Sequence, residues 1–179
     1  MLEEVVLVNE KDEAIGTMEK MAAHEKALLH RAFSVFVFNK NGDLLMQQRA
    51  HSKYHSGGLW TNTCCSHPRP GEHVAEAASR RLQEEMGFTT SLTKVFDFTY
   101  KANFDNGLTE YEFDHVFTGQ YDGPVDFNTE EVAAYSFMPA QELEQQIQET
   151  PERFTAWFHI AYPALKAWMA EPQNQIHAV

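Results

Sequence analysis

The sequence predicts an α+β fold, and three observations carry that prediction. Runs rich in aromatic and β-branched residues recur along the chain, the strongest being residues 31–39, Arg-Ala-Phe-Ser-Val-Phe-Val-Phe-Asn. Asn-Gly pairs in 40–43 and 105–107 sit between such runs, and Asn-Gly tolerates the positive φ that a tight hairpin turn demands. Helical patterns separate and follow the strands. Residues 72–86 place Val74, Ala77, Ala78 and Leu82 on one stripe, with Gly87 in the usual terminating position.

In chain order, residues 5–8 form a short apolar run ending in the polar turn 9–12, and 14–18 return as the second arm of an N-terminal hairpin. The central strand 31–39 turns at 40–43 into a returning strand, 44–49. Next comes the loop 50–58. With Arg49, His51, Lys53 and His55 it carries the densest cluster of basic and imidazole groups in the chain. Beyond the helix, residues 95–104 and 108–118 read as two long strands, and 132–138 as the last strand. Residues 139–150 and 155–170 read as helices, the second kinked at Pro163, and the tail from Pro172 reads as loose. No repeat, low-complexity segment or linker composition interrupts the chain. Residues 1–179 are therefore expected to form a single domain, its centre extended by the N-terminal hairpin and the C-terminal helices.

A hydrophobic content of 43%, with 13 phenylalanines, is enough to bury a sizeable core. The formal net charge of −12 argues against a general nucleic-acid or anionic-membrane surface, although local basic residues still set the field inside a cleft. The two cysteines are adjacent, so no ordinary disulfide framework is available, which suits a reducing compartment. No apolar run reaches the roughly 18 to 20 residues that span a bilayer, and the first residues lack the basic start of a secretory signal. The expected location is the cytoplasm.

The chemistry concentrates around residues 60–68, Trp-Thr-Asn-Thr-Cys-Cys-Ser-His-Pro, where the thiol of Cys65 and the imidazole of His67 stand two residues apart in a Pro/Gly-bounded loop. His24 and His30 lie upstream. Downstream, Glu110 and Glu112 share one face of a strand, with Tyr111 and Phe113 on the other. Spacing alone leaves two readings: isolated histidines and a solvated sheet face, or a five- or six-coordinate site of three imidazoles and two carboxylates. Likewise the helix fits a simple amphipathic element with an acidic edge, the cysteines fit small apolar fillers, and Trp157 fits core packing.

Read together, these motifs resemble the Nudix superfamily and, within it, the type I isopentenyl-diphosphate isomerases. The Nudix pattern is Gly-x5-Glu-x7-Arg-Glu-U-x-Glu-Glu-x-Gly-U, with U bulky and aliphatic. Anchored on Gly87, this chain supplies Ser66 for the first Gly, then Glu72, Arg80, Arg81, Leu82, Glu84, Glu85, Gly87 and Phe88. Arg81 stands where the hydrolases carry a metal-binding Glu. That exchange removes a metal ligand and adds a guanidinium fork suited to phosphate oxygens, and the isomerases share it. The resemblance implies an α/β/α sandwich with a Nudix-type mixed sheet between helices. It further implies a metal site of His24, His30, His67, Glu110 and Glu112 for Mn²⁺, Zn²⁺ or Mg²⁺. Glu85 would hold a Mg²⁺ that bridges the diphosphate, and Cys65, Glu112 and Tyr100 would be catalytic. Lys20, Arg49, Lys53 and Arg81 would bind the diphosphate, and Trp157 would lie over the hydrocarbon to shelter a carbocation. Cys64 is expected to be a filler.

The reaction so implied interconverts isopentenyl and dimethylallyl diphosphate, in isoprenoid biosynthesis, by an antarafacial 1,3-proton shift through a carbocation. The expected partner is that small allylic or homoallylic diphosphate, with neither nucleic acid nor membrane, in a monomer or homodimer. A Nudix pyrophosphohydrolase of a nucleoside or prenyl diphosphate is the alternative, and a non-catalytic diphosphate-binding module is the third reading.

Overall fold

The computed structural model describes residues 3–174. β1 (Glu4–Val8) and β2 (Ala14–Glu19) form the N-terminal hairpin. A six-residue helix follows that the sequence reading left unassigned, α1 (Lys20–Glu25). It starts because the Glu19 carboxylate accepts hydrogen bonds from the amides of Met21 and Ala22, capping the first turn. β3 (His30–Phe38), β4 (Leu44–Arg49), β5 (Trp60–Thr61) and β6 (Cys64–Ser66) come next, then α2 (Val74–Met86). β7 (Thr93–Asn103) and β8 (Thr109–Gln120) are the long hairpin, and β9 (Val132–Met138) is the last strand. α3 (Ala140–Glu149) and α4 (Ala156–Ala170) close the chain, and α4 runs through Pro163 as one element. Residues Pro172–Asn174 make a 3-10 turn, and the rest of the tail lies outside the described residues.

β3 is the spine of one mixed sheet. Along one edge it pairs in parallel with β8 over its whole length, from His30 opposite Glu112 to Phe38 opposite Gln120. Its other edge is shared by three antiparallel partners: β1 at His30, β6 at residues 33–35, and β4 at Phe38 alone. The Asn-Gly turn after β3 therefore forms with Gly42 at φ 81, but β4 leaves β3 at once and pairs with β9 and β5 instead. The segment expected to be a loop around Cys65 is thus a strand of the sheet.

Alternation along β3 divides the interior into two layers. Phe33, Val35 and Val37 pack with Ala77, Ala78, Leu82 and Met86 of α2. Phe36 and Phe38 pack on the opposite face with Phe158, Ala161 and Leu165 of α4 and Leu143 of α3. These layers make the sandwich, helices covering both faces of the sheet. Leu82 is fully buried, so its truncation to alanine should cost about 2–5 kcal/mol.

Candidate active site

Residues paired across adjacent strands point to the same side of a sheet, and this register builds the site. His30 and Ser34 of β3, Glu112 and Asp114 of β8, and Cys65 of β6 all project onto the α4 side. They lie beyond the apolar layer around Phe36, at the polar end of that face. The same alternation explains why the two cysteines differ. Cys64 pairs with Val35 and is sealed among Ala77, Leu82 and Met86, whereas Cys65 opens onto the cavity. Burial pushes the Cys65 thiol up, against the pull of the Arg49 charge. Ser66 lies in extended backbone opposite Phe33, where a side chain is tolerated and no glycine is needed.

The imidazoles converge from three elements. His24 Nδ1 hydrogen-bonds the carbonyl of Lys20 at 2.7 Å, one helical turn back, and His30 Nδ1 hydrogen-bonds that of Leu28 at 2.8 Å. With those protons placed on Nδ1, each Nε2 keeps its lone pair. Both Nε2 atoms are buried and lack a hydrogen-bond partner. His67 Nε2 lies 2.9 Å from Glu112 Oε1, and His30 Nε2 lies 3.4 Å from the same oxygen. His24, His30, His67 and Glu112 offer donor atoms all within 4.8 Å of one another, and His24, His55 and Glu110 form a second such group. Orphaned nitrogens aimed at carboxylates, with backbone carbonyls fixing the tautomers, are what a divalent ion requires, so the residues fit a metal. Burial, reinforced by the neighbouring His67 and His30 imidazoles, lowers His24 to about 4. Burial also opposes ionisation of Glu112, but the His30 and His67 imidazoles outweigh it and hold that carboxyl well below its ordinary range.

Four of the five expected ligands, His24, His30, His67 and Glu112, form one donor group, whereas Glu110 is joined to it only through His24 and faces a residue the sequence reading gave no role at the ion. His55 Nε2 lies 3.0 Å from Glu110 Oε1. The other Glu110 oxygen lies 2.9 Å from the Tyr100 hydroxyl, whose one proton is shared between it and the shorter contact, Glu112 Oε2 at 2.6 Å. Burial and the two carboxylates push Tyr100 well up, so it stays a neutral donor.

A cleft opens beside these groups, lined by Cys65, His67, Tyr100, Glu110, Glu112 and Trp157 together with Lys20, Arg49, Lys53, Arg81 and Glu85. Three of the four basic side chains are already matched with carboxylates: Lys20 with Glu3, Lys53 with Glu131, and Arg81 with Glu85 at 2.5 Å and Glu131 at 3.2 Å. Glu85, buried, also accepts a 2.9 Å hydrogen bond from Gln47. The Arg49 guanidinium lies 5.1 Å from the centre of the Trp157 ring. That tryptophan is set by the start of α4, where the Thr155 amide and hydroxyl hydrogen-bond Trp60 and Thr61 of β5. Glu131, Glu3, Asp114 and Ser34 line the cleft without having been foreseen. Glu131 had no local motif to mark it. Asp114 continues the Glu-x-Glu spacing by one more alternate position, a signal the sequence did carry. Glu72 and Arg80 belong to the helix motif but face each other, clamping the approach to α2 through two hydrogen bonds of 2.7 and 2.9 Å.

Comparison with known proteins identifies the family and the fold. Residues 28–158 match the NUDIX domain. Among solved structures, DR0079 from Deinococcus radiodurans shares the fold with a TM-score of 0.69 at 22% identity, covering 83% of this chain and 90% of that one. The isopentenyl-diphosphate Delta-isomerase of Pectobacterium atrosepticum is 50% identical over 97% of this chain and 98% of its own length. That of Serratia proteamaculans is 51% identical over 88% of each. The chain belongs to the Nudix family and, within it, to the isopentenyl-diphosphate Delta-isomerases. No helix among the described residues is long and apolar enough to cross a membrane.

Proposed function

We propose that the chain interconverts isopentenyl diphosphate and dimethylallyl diphosphate by a 1,3-proton shift, with Cys65 and the Glu112–Tyr100 pair as its two acid–base groups. One observation carries this reading: the two groups enter one cleft from strands on opposite edges of β3. Neighbouring strands lie roughly 4.8 Å apart, so about 10 Å separates β6 from β8, room for a five-carbon chain between them. In one direction a proton is added to the terminal CH₂ carbon of the homoallylic substrate, leaving a tertiary cation at the branched carbon. Loss of a proton from the carbon next to the diphosphate-bearing CH₂ then gives the allylic isomer. Microscopic reversibility makes each group a donor in one direction and an acceptor in the other, and no covalent intermediate is needed. Trp157 presents its indole to the cation, a contact of roughly 2 kcal/mol in a desolvated site.

Lys20, Arg49, Lys53 and Arg81 bind the diphosphate; Lys20, Lys53 and Arg81 exchange their resting carboxylate partners for phosphate oxygens, whereas Arg49 rests against the Trp157 ring. His24, His30, His67, Glu110 and Glu112 would hold one divalent ion, Mn²⁺, Zn²⁺ or Mg²⁺, and Glu85 would hold a Mg²⁺. When bound, these ions supply fixed positive charge, the first orienting Glu112 and the second neutralising the diphosphate. The hydrolase reading loses ground because Arg81 places a guanidinium, donating to Glu84 and Glu85, where a hydrolytic metal cluster would need a further carboxylate. We also take residues 1–179 as one catalytic unit, supported by the nine strands sharing one sheet. A cytoplasmic setting is supported by Cys64 and Cys65 both being free thiols.

The test is incubation with isopentenyl diphosphate in D₂O. Dimethylallyl diphosphate carrying solvent deuterium, without phosphate release, is the expected result. Release of a monophosphate or inorganic phosphate without exchange would refute the isomerase assignment.

A further inference from the structure

His55 reaches the metal group from the loop between β4 and β5, and nothing in its local sequence announces a ligand. We propose that His55 is a sixth donor to the ion held by His24, His30, His67, Glu110 and Glu112, making the shell four imidazole nitrogens and two carboxylates. This rests on the metal-site reading above and extends it.

Three observations lead there. First, His55 is buried at 7% exposure, and its Nε2 is 3.0 Å from Glu110 Oε1 yet lacks a hydrogen-bond partner of sound geometry. A nitrogen so placed, beside a carboxylate it does not properly bond, is poised as a donor to a third centre. Second, the ring is held rather than loose. It stacks on Phe104 at 4.7 Å and 13°, meets the edges of Tyr54 and Trp157, and has its Nδ1 at 3.2 Å from Ser56 Oγ. Third, His24 belongs to both donor groups, the one with His30, His67 and Glu112 and the one with His55 and Glu110. Its Nδ1 is committed to the Lys20 carbonyl, so only Nε2 can ligate. One ring nitrogen has one in-plane lone pair and serves one ion. The two groups therefore cannot be filled as two separate sites, and an ion on His24 draws the His55–Glu110 pair and the His30–His67–Glu112 set into one shell.

The consequence is chemical. Six protein donors fill an octahedron and leave no position for water or substrate, in keeping with a site that must stay dry around a carbocation. Four nitrogens also favour borderline transition ions over Mg²⁺, which prefers oxygen.

The test uses the full chain loaded with Mn²⁺ or Zn²⁺. Pulsed EPR on the Mn²⁺ form and X-ray absorption on the Zn²⁺ form should count four imidazole nitrogens. His55→Phe keeps a ring against Phe104, and His55→Gln keeps a hydrogen-bonding group toward Glu110. Both should show three nitrogens and bind the ion about 10–100-fold more weakly in chelator competition, the range for loss of a metal-site contact. A count of three in the unmutated protein overturns the proposal while leaving the five-residue site standing. Failure of the unmutated protein to bind either ion overturns both. The wild-type count decides the matter even if a variant does not fold.

Discussion

At the imidazole end of the cleft, His24 and His30 have one ring nitrogen fixed on a backbone carbonyl and the other buried without a partner. At the basic end the reverse holds: Lys53 and Arg81 already have counter-ions in Glu131 and Glu85, and both retain about a fifth of their side-chain surface. The first end is preorganised, its orientation cost met during folding. The second is pre-neutralised, so a diphosphate must displace carboxylates before it is gripped. The difference follows from the scaffold. The imidazole end stands on paired strands and a capped helix turn, while the basic end is assembled from long side chains whose guanidinium and ammonium heads can swing.

The sharpest way to break this contrast is Glu112→Gln, because Glu112 joins both acid–base chemistry and the metal group. Turnover is expected to fall by about 10⁴-fold, the upper range for a lost acid–base group, with metal content falling in parallel by elemental analysis. Full metal occupancy in that variant would separate the two roles. Cys65→Ala should lose about 10²–10⁴-fold in kcat but keep its metal and its affinity for a diphosphate, since the thiol touches neither group. A Cys65→Ala protein with near-normal turnover removes sulfur from the reaction.

At the basic end the effects are smaller and appear in binding. Arg81→Gln should weaken diphosphate binding by about 10–100-fold, as expected for one charge-assisted contact of roughly 1.5–3 kcal/mol, without loss of the histidine-bound metal. Glu131→Gln should act in the opposite sense. It frees Lys53 and Arg81 from a competitor worth about 0.2–1 kcal/mol, tightening binding by at most about fivefold in calorimetry. Weaker binding there would mean that Glu131 positions the cations rather than competing for them.

How much of this was legible depended on whether contacts run along the chain or across it. The α2 stripe, the Asn-Gly turns and the Glu-x-Glu face are local patterns, and each stands where its period put it. The parallel pairing of β3 with β8 joins residues about eighty positions apart, and no local period encodes it. The insertion of Cys64–Ser66 beside β3 was hidden for a related reason. Three residues are too few for an alternation to register, and the strand exists because β4 departs after Phe38 and leaves that edge of β3 open. His55 was visible as part of a basic cluster, but its partner Glu110 comes from the far hairpin. Its approach also depends on a tight path at Ser56 and Gly58, with φ of 52 and 78.

The effect expected to reach the cleft least concerns a motif pair that serves the frame. The Arg80 guanidinium holds both oxygens of Glu72, and the Arg69 amide donates to the same carboxylate. The Arg80 hydrogen bonds, with that amide, hold the Glu72 carboxyl below its usual value despite partial burial. A carboxyl whose folded pKa is depressed contributes stability above the unfolded value, and that contribution is lost as pH falls through the folded one. Glu72→Gln should therefore cost about 1 kcal/mol at pH 7, the scale of a well-formed partly exposed ion pair. The gap to wild type in denaturant melts should shrink as pH falls below the ordinary carboxylate range of about 4.3. Metal content and diphosphate affinity should be unchanged throughout. A gap that persists in acid would assign the stabilisation to packing around Arg80, and a loss of diphosphate affinity would bring Glu72 into the site and blur the line between frame and cleft.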